Sequence, residues 1–244
     1  MPSLDNVFWQ SLDGPHRGWS AGTSTARRYA PGFSPIAAFA TPRTPDLAAL
    51  APFCAPGERL YCADWDGPAP AGWRVELQAF MVRMAWQGDA PAVDASLQAV
   101  PLGPSHVDAA VDLATLTKPG PFGPRTLEMG DYLGVFEQGR LVAMAGERTR
   151  TATAREVSGV CTHPGHQGRG LARRLMQVLV ARQLARLRGV FRTESSRLGR
   201  FIGGRRWRVP DHLHHHVFDV DAPTRRRLAR PAIAVEVLAG RAER

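Results

Sequence analysis

Glu156-Val157-Ser158-Gly159-Val160-Cys161-Thr162-His163-Pro164-Gly165-His166-Gln167-Gly168-Arg169-Gly170-Leu171-Ala172 carries the strongest pattern in the chain. Val157, Val160 and Cys161 give its first part the apolar, β-branched character of a buried strand. Pro164 cannot donate to a strand ladder and ends it. Gly168 and Gly170 bring backbone N–H groups close to a ligand with no Cβ in the way. The helix expected next adds unpaired N–H donors and the positive end of its dipole. Strand, glycine loop and helix start together make a cradle for a diphosphate.

Spacing separates this loop from other phosphate loops. There is no Walker lysine, and the glycines do not fit G-x-G-x-x-G. Gln167-Gly168-Arg169-Gly170-Leu171-Ala172 fits Q/R-x-x-G-x-G/A, after a strand ending V-x-x-x-P at Val160 and Pro164. That combination resembles the acetyl-CoA signature of the GCN5-related N-acetyltransferases (GNAT). The wider run, from Gly139-Arg140-Leu141-Val142-Ala143-Met144-Ala145-Gly146-Glu147 to Ala172, resembles the FR47-like branch of that superfamily. The resemblance implies an α/β (α+β) protein with the GNAT fold, a mixed and mostly antiparallel twisted sheet with helices on both faces. It implies acetyl-CoA as co-substrate, held by Val160, Cys161, Thr162, Gln167, Gly168, Arg169, Gly170, Leu171, Ala172 and Arg173. Arg173 and its neighbour Arg174 read equally well as solvated surface charge.

Composition is that of a globular protein. The 244 residues suffice for one large domain or two small ones. The net charge of +9, from 31 basic and 22 acidic residues, suits an anionic ligand such as coenzyme A, and equally nucleic acid or an acidic membrane surface. Cys54, Cys62 and Cys161 form no C-x-x-C pair, and an odd count argues against a disulfide framework. No apolar run approaches the ~18 residues of a membrane span, and no cleavable leader opens the chain, so the cytoplasm is the expected location.

Three regions are expected: an N-terminal region over 1–98, a GNAT domain over 99–220 and a basic tail over 221–244. The first resembles the decayed acetyltransferase-like half of FR47-like proteins. It shows a short helix from Asn6, no clear period over Gly14–Ala30, a strand over Ser34–Ala40, a helix over Thr44–Leu50 and a strand over Glu58–Tyr61. Val75–Trp86 mixes helical and extended character. Trp9, Trp19, Trp65, Trp73 and Trp86 read as core or interface residues. Gly88–Ala95 reads as a linker. A first strand at Ala99–Leu102 precedes a helix capped by Ser105, with Asp108 three residues on.

Thr117–Thr126 holds three prolines and two glycines in ten residues and is a loop. In FR47-like relatives the comparable loop lies over the acceptor, which makes Phe122, Arg125 and Glu128 candidate substrate residues. Phe122 could instead staple into the core, and Arg125 and Glu128 could be solvated charges. Asp131–Phe136 and Leu141–Arg148 form a hairpin about Glu137–Arg140, with glycine where φ > 0 is expected. A turn at 151–154 leads into the strand before the glycine loop. A helix over 170–187 and a strand over Gly189–Glu194 follow.

In the family, the strands on either side of that helix run parallel and splay apart, and the pantetheine arm fills the gap. Acyl transfer also needs a group to take the proton of the amine. Glu147 and Glu156 are the candidate bases, with His163 further off; the alternative for each carboxylate is a salt bridge with Arg148 or Arg155. The family's later tyrosine slot falls on Ile202 if Trp207 takes the place of the motif's final aromatic residue, so the usual hydroxyl is missing there. His212–Asp219 reads as the closing strand; its histidines alternate between faces without cysteine or acidic partners, so no metal is expected. The expected activity is acetyl transfer to a primary amine of a small or amino-acid-like acceptor, by a monomer or homodimer. A CoA-binding sensor and a basic nucleic-acid-binding protein are the alternatives.

Overall fold

A computed structural model describes residues 4–65, 68–86, 88–186, 189–195, 207–208 and 232–239. The hairpin forms as its sequence predicts. β7 (Tyr132–Glu137) and β8 (Arg140–Arg150) are joined by Gln138 and Gly139, both at positive φ, as a two-residue turn requires. β8 continues through a loop at 151–153 into β9 (Ala154–Thr162), antiparallel to it. The run Leu141–Ala145 is buried throughout because helices cover both faces of the sheet here. On one face, α4 (Leu171–Arg186) packs Leu171, Leu175, Met176, Leu179 and Val180 against Leu133, Val135, Val142, Ala145 and Val157. Burial of each such side chain stabilises by roughly 1.5–3 kcal/mol. On the other face, α3 (Val107–Thr117) packs Ala110, Leu113 and Ala114 against Tyr132, Met144 and Cys161.

α3 is capped differently from the sequence expectation. Pro104 starts a 3-10 turn over Pro104–His106, and the His106 ring reaches back to accept the Gly103 N–H at 3.1 Å. Ser105 makes no such cap. The first strand is short, β6 (Val100–Pro101), paired with β7.

The first 98 residues supply α1 (Val7–Leu12), β1 (Ser20–Gly22), β2 (Ala26–Tyr29), β3 (Ile36–Phe39), α2 (Leu47–Leu50), β4 (Arg59–Ala63) and β5 (Trp73–Trp86). The stretch without a clear period therefore holds two strands. α2 starts three residues later than Thr44 because Asp46, not Thr44, accepts the Ala49 N–H. The mixed signal over Val75–Trp86 resolves into one 14-residue strand. Trp65 is buried, and Trp9, Trp19, Trp73 and Trp86 pack against the cores, as expected of them.

All strands join one sheet in the order β1-β2-β3-β4-β12-β5-β10-β9-β8-β7-β6, with β10 at Gly189–Ser195, β12 at Ala232–Ala239 and β11 (Trp207–Arg208) beside β5. β12 lies within the segment read as a basic tail; it is a strand between β4 and β5, hydrogen-bonded to both. The expected closing strand over His212–Asp219 and the motif slot at Ile202 lie outside the described residues.

His16 sits in the core under α1. Its Nδ1 lies 2.9 Å from the Tyr29 hydroxyl, which also meets Ser11 Oγ at 3.1 Å. Burial, then the charges of Arg150 and Arg155, lowers its pKa from 6.5 to about 4. The folded ring stays neutral while the unfolded ring takes a proton below about pH 6.5. The stability is therefore full above that pH and falls toward pH 4, by on the order of 3 kcal/mol from this group. Urea unfolding from about pH 7.5 down to about pH 4.5 should show the loss, and His16→Gln should flatten that part of the profile.

Candidate active site

β9 ends at Thr162, and a 3-10 turn over Pro164–His166 follows, with His163 Nδ1 accepting the Gly165 N–H at 3.1 Å. Gln167 reaches back to the Thr162 carbonyl at 3.4 Å. Gly168 and Gly170 both have positive φ, at 80° and 73°. A Cβ on Gly168 would meet nothing within 4 Å, and one on Gly170 would meet only Arg173 Nη2, at 3.7 Å. Backbone conformation, not packing, demands glycine here, and the surface above the loop is open. Arg174 N–H bonds to the Gly170 carbonyl at 3.0 Å, so the N–H groups of residues 171–173 lie ahead of the helical ladder. These donors and the helix dipole fit a diphosphate.

The nearby arginines divide by partner. Arg169 pairs with Glu137 at 2.7 Å, and Arg174 with Asp94 at 2.9 Å and Ser96 at 2.8 Å. Arg174 thus anchors the linker before β6. Arg173 is exposed, lies beside Gly170 and makes no ion pair among the described residues.

The expected splay is present. β10 runs parallel to β9 only where Gly189–Phe191 face Ala154–Glu156; from Phe191 to Ser195 it pairs with β5. Beyond Glu156, β9 has no strand on that side among the described residues, and Val160, Cys161 and Thr162 border the gap. Cys161 is a thiol held protonated: burial pushes its pKa up to about 11. Leu171 is buried in the α4 core and supports the loop from beneath, while Ala172 is half-buried.

Two register breaks shape β8 and β9. Gly159 and Val160 stand opposite Ala145 alone, with Gly159 at φ 61°. Arg148 and Thr149 stand opposite Glu156 alone. The first is a bulge that glycine permits, and it re-aims β9 beside the gap. The second brings Arg148 onto Glu156 in a two-pronged pair, Nη2 to Oε1 at 2.8 Å and Nε to Oε2 at 3.2 Å. Both side chains are buried. Glu156 outweighs the desolvation of Arg148 and holds its guanidinium above the ordinary range.

Strand alternation separates the two candidate bases. Ala145 and Val157 lie in the core under α4, and Glu147 with its partner Arg155 shares that face. Met144 and Tyr132 lie under α3, and Arg148 with Glu156 shares that one. The alternative of salt bridges with Arg148 and Arg155 is therefore what forms, but buried and not on the surface. Glu156 stands on the face that Phe122 covers; Glu147 is on the other. His163 is used as a turn cap.

The loop before β7 closes over the α3 face. Phe122 meets Tyr132 edge-on with ring centroids 5.8 Å apart, and a Cβ on Gly159 would lie 3.6 Å from it. Phe122 is thus at the bulge. Arg125 and Glu128 do something else. They pair with each other at 2.7–2.8 Å, and Arg125 lies 4.2 Å over the Phe33 ring while donating its N–H to the Gly32 carbonyl at 2.7 Å. They dock the loop onto the N-terminal half. Ser34 does so from below, donating to the Pro121 carbonyl at 3.1 Å and meeting Thr126 Oγ1 at 3.2 Å.

Sequence reasoning missed Tyr132 and Ser34. Tyr132 had a readable sign, since glycines within strands, here Gly146 and Gly159, mark a bulge or a close approach. Ser34 had none, because its partners are almost ninety residues away. Ser34→Ala should cost about 1–2 kcal/mol in urea unfolding and speed amide exchange at Gly123 and Arg125, whose N–H bonds depend on the loop's seat.

Comparison with known proteins agrees with this geometry. Residues 116–195 match the Acetyltransferase (GNAT) family. The structure is similar to that of a protein of Novosphingobium aromaticivorans assigned to the GNAT family of acetyltransferases, with a TM-score of 0.78 and 29% identity over 97% of this chain and 98% of that one. A GCN5-related N-acetyltransferase from Kribbella flavida shares the fold, with a TM-score of 0.52 and 17% identity over 97% and 96% of the two chains. No protein of curated function matches the chain in sequence. The fold is the GNAT fold, and its glycine loop and splayed strands lie within the part that matches the acetyltransferase family.

Proposed function

We propose that the chain transfers an acetyl group from acetyl-CoA to a primary amine of a small or amino-acid-like acceptor by direct attack. The observation that carries this reading is the conjunction of an open glycine loop at the α4 N-terminus with the parting of β9 from β10. Either alone is a common packing feature; together they suit a diphosphate joined to a long arm. Gln167–Ala172 and Arg173 would hold the diphosphate, and Val160–Thr162 would line the arm. Acetyl-CoA supplies the thioester acyl group. Glu156 takes the proton of the amine, directly or across a water, because it lies on the acceptor face and keeps lone pairs beyond those that Arg148 uses. Backbone N–H groups of β9 at the bulge are the donors for the oxygen that gathers charge.

The run from Gly139 to Ala172 favours the FR47-like branch. A cytoplasmic monomer or homodimer is in keeping with the cysteine usage, and no described helix is long and apolar enough to cross a membrane. A CoA-binding sensor is the second reading, favoured by the absence of a hydroxyl at Ile202.

Calorimetric titration of acetyl-CoA into wild type and Gly170→Glu tests the proposal. Saturable binding to wild type that is lost in the variant is expected, because a carboxylate at a positive-φ position would both strain the loop and repel the diphosphate. Turnover with an amine panel then separates enzyme from sensor. A well-folded wild type that does not bind would overturn both readings.

A further inference from the structure

Tyr132 crosses the sheet. Its ring leaves β7, lies over β8 at Gly146 and ends over β9 at Gly159. A Cβ on Gly146 would sit 2.1 Å from Tyr132 Cδ1, and one on Gly159 would sit 3.1 Å from Cε1 and 3.7 Å from the hydroxyl oxygen. Two glycines on successive strands therefore clear a track for this one ring. The track delivers the hydroxyl to the β9 bulge, on the face that holds Glu156 and Phe122. The residue is 2% exposed, and its hydroxyl makes no hydrogen bond among the described residues. Tyr29, equally buried, has two partners. A buried hydroxyl without a partner weakens the fold, and phenylalanine would fill the same track without that cost.

We propose that the Tyr132 hydroxyl is reserved for the acceptor: it makes its hydrogen bond to a polar atom of the amine substrate held at the β9 bulge. The inference rests on the acetyltransferase reading and deepens it. Burial raises the pKa of Tyr132, so the phenol is neutral and can donate or accept. Its surroundings narrow the acceptor class. Phe122, Leu127, Met144 and Cys161 make the same cluster apolar. Of the described charges on this face, Arg148 and Glu156 neutralise each other, and Glu156 is the base for the one reacting amine. Among the described residues the lining offers no uncompensated carboxylate to a second ammonium, so the acceptor is an apolar or aromatic monoamine with one hydrogen-bonding group near its nitrogen, not a polyamine.

Tyr132→Phe tests this against a structural role. In the ligand-free protein its unfolding midpoint should equal that of wild type or exceed it by about 2–4 °C. Acetyl-CoA affinity by calorimetry should stay within about twofold, while kcat/KM for the best amine of a panel of aromatic and aliphatic monoamines and polyamines should fall about tenfold. A lower midpoint would show that the hydroxyl serves the fold and would overturn the assignment. So would unchanged kcat/KM, a polyamine as the preferred acceptor, or no turnover of any monoamine. If wild type does not bind acetyl-CoA, the acetyltransferase reading fails and this inference fails with it. Normal binding and turnover that ignore Tyr132 would sink this inference alone.

Discussion

The hydrogen bonding of β10 is the constraint on which the site depends. A strand after a parallel crossover ordinarily zips along its neighbour, since each unpaired backbone group left in the interior is costly. Here β10 pairs with β9 over three residues only, while β5 holds its other edge from Phe191 to Ser195. The gap beside β9 opens on the edge that β5 does not reach. β5 also pairs with β12, and β12 with β4, so the first 98 residues reach the site through the sheet itself. The two halves are one hydrogen-bonded unit, and the N-terminal region holds the cleft in shape.

Two ion pairs, one on each face of β8 and β9, fix the local register. A buried pair gains little net stability over apolar packing, but breaking one leaves a charge in the interior at about 3–5 kcal/mol. Arg148–Glu156 and Glu147–Arg155 therefore act mainly against slippage: shifting either strand by one residue would separate both pairs and invert both faces. Arg148 also touches both halves. The Phe8 ring of α1 lies 5.9 Å from its guanidinium carbon, and a Cβ on Gly120, in the loop before β7, would lie 3.7 Å from Nη1. Glu156 is thus oriented by an arginine that itself touches the loop and α1.

The local rules were legible in the sequence; the long-range ones were not. The β7–β8 turn, β9, the glycine loop and α4 follow from positive-φ glycines, β-branched runs and apolar spacing, all within a few residues of each other. The cap of α3 was misread because proline at the helix start favours a 3-10 turn, and histidine then competes with serine for the free amide. β12 was hidden because arginine density in its flanks outweighed a short apolar run, Ala232-Ile233-Ala234-Val235, whose pairing is with strands far away in sequence. The two candidate carboxylates look equivalent in sequence; only the register, with its bulge at Glu156, assigns them to different faces.

The loop over 117–126 and the turn after it show the same limit at the level of single residues. Phe122, Arg125 and Glu128 lie within seven positions of one another, and the sequence treats them alike. Only Phe122 turns toward the bulge. Arg125 spends its cation on the Phe33 ring and its backbone on Gly32, and Glu128 neutralises what remains exposed. A loop with this much proline and glycine has little conformation of its own, so its shape is set by what it rests on. It rests on Gly32, Phe33 and Ser34. A Cβ on Gly123 would lie 2.4 Å from the Gly32 carbonyl oxygen, which leaves no slack between the two surfaces. The position of Phe122 is therefore set partly by residues it never touches, through the seat they give to its loop.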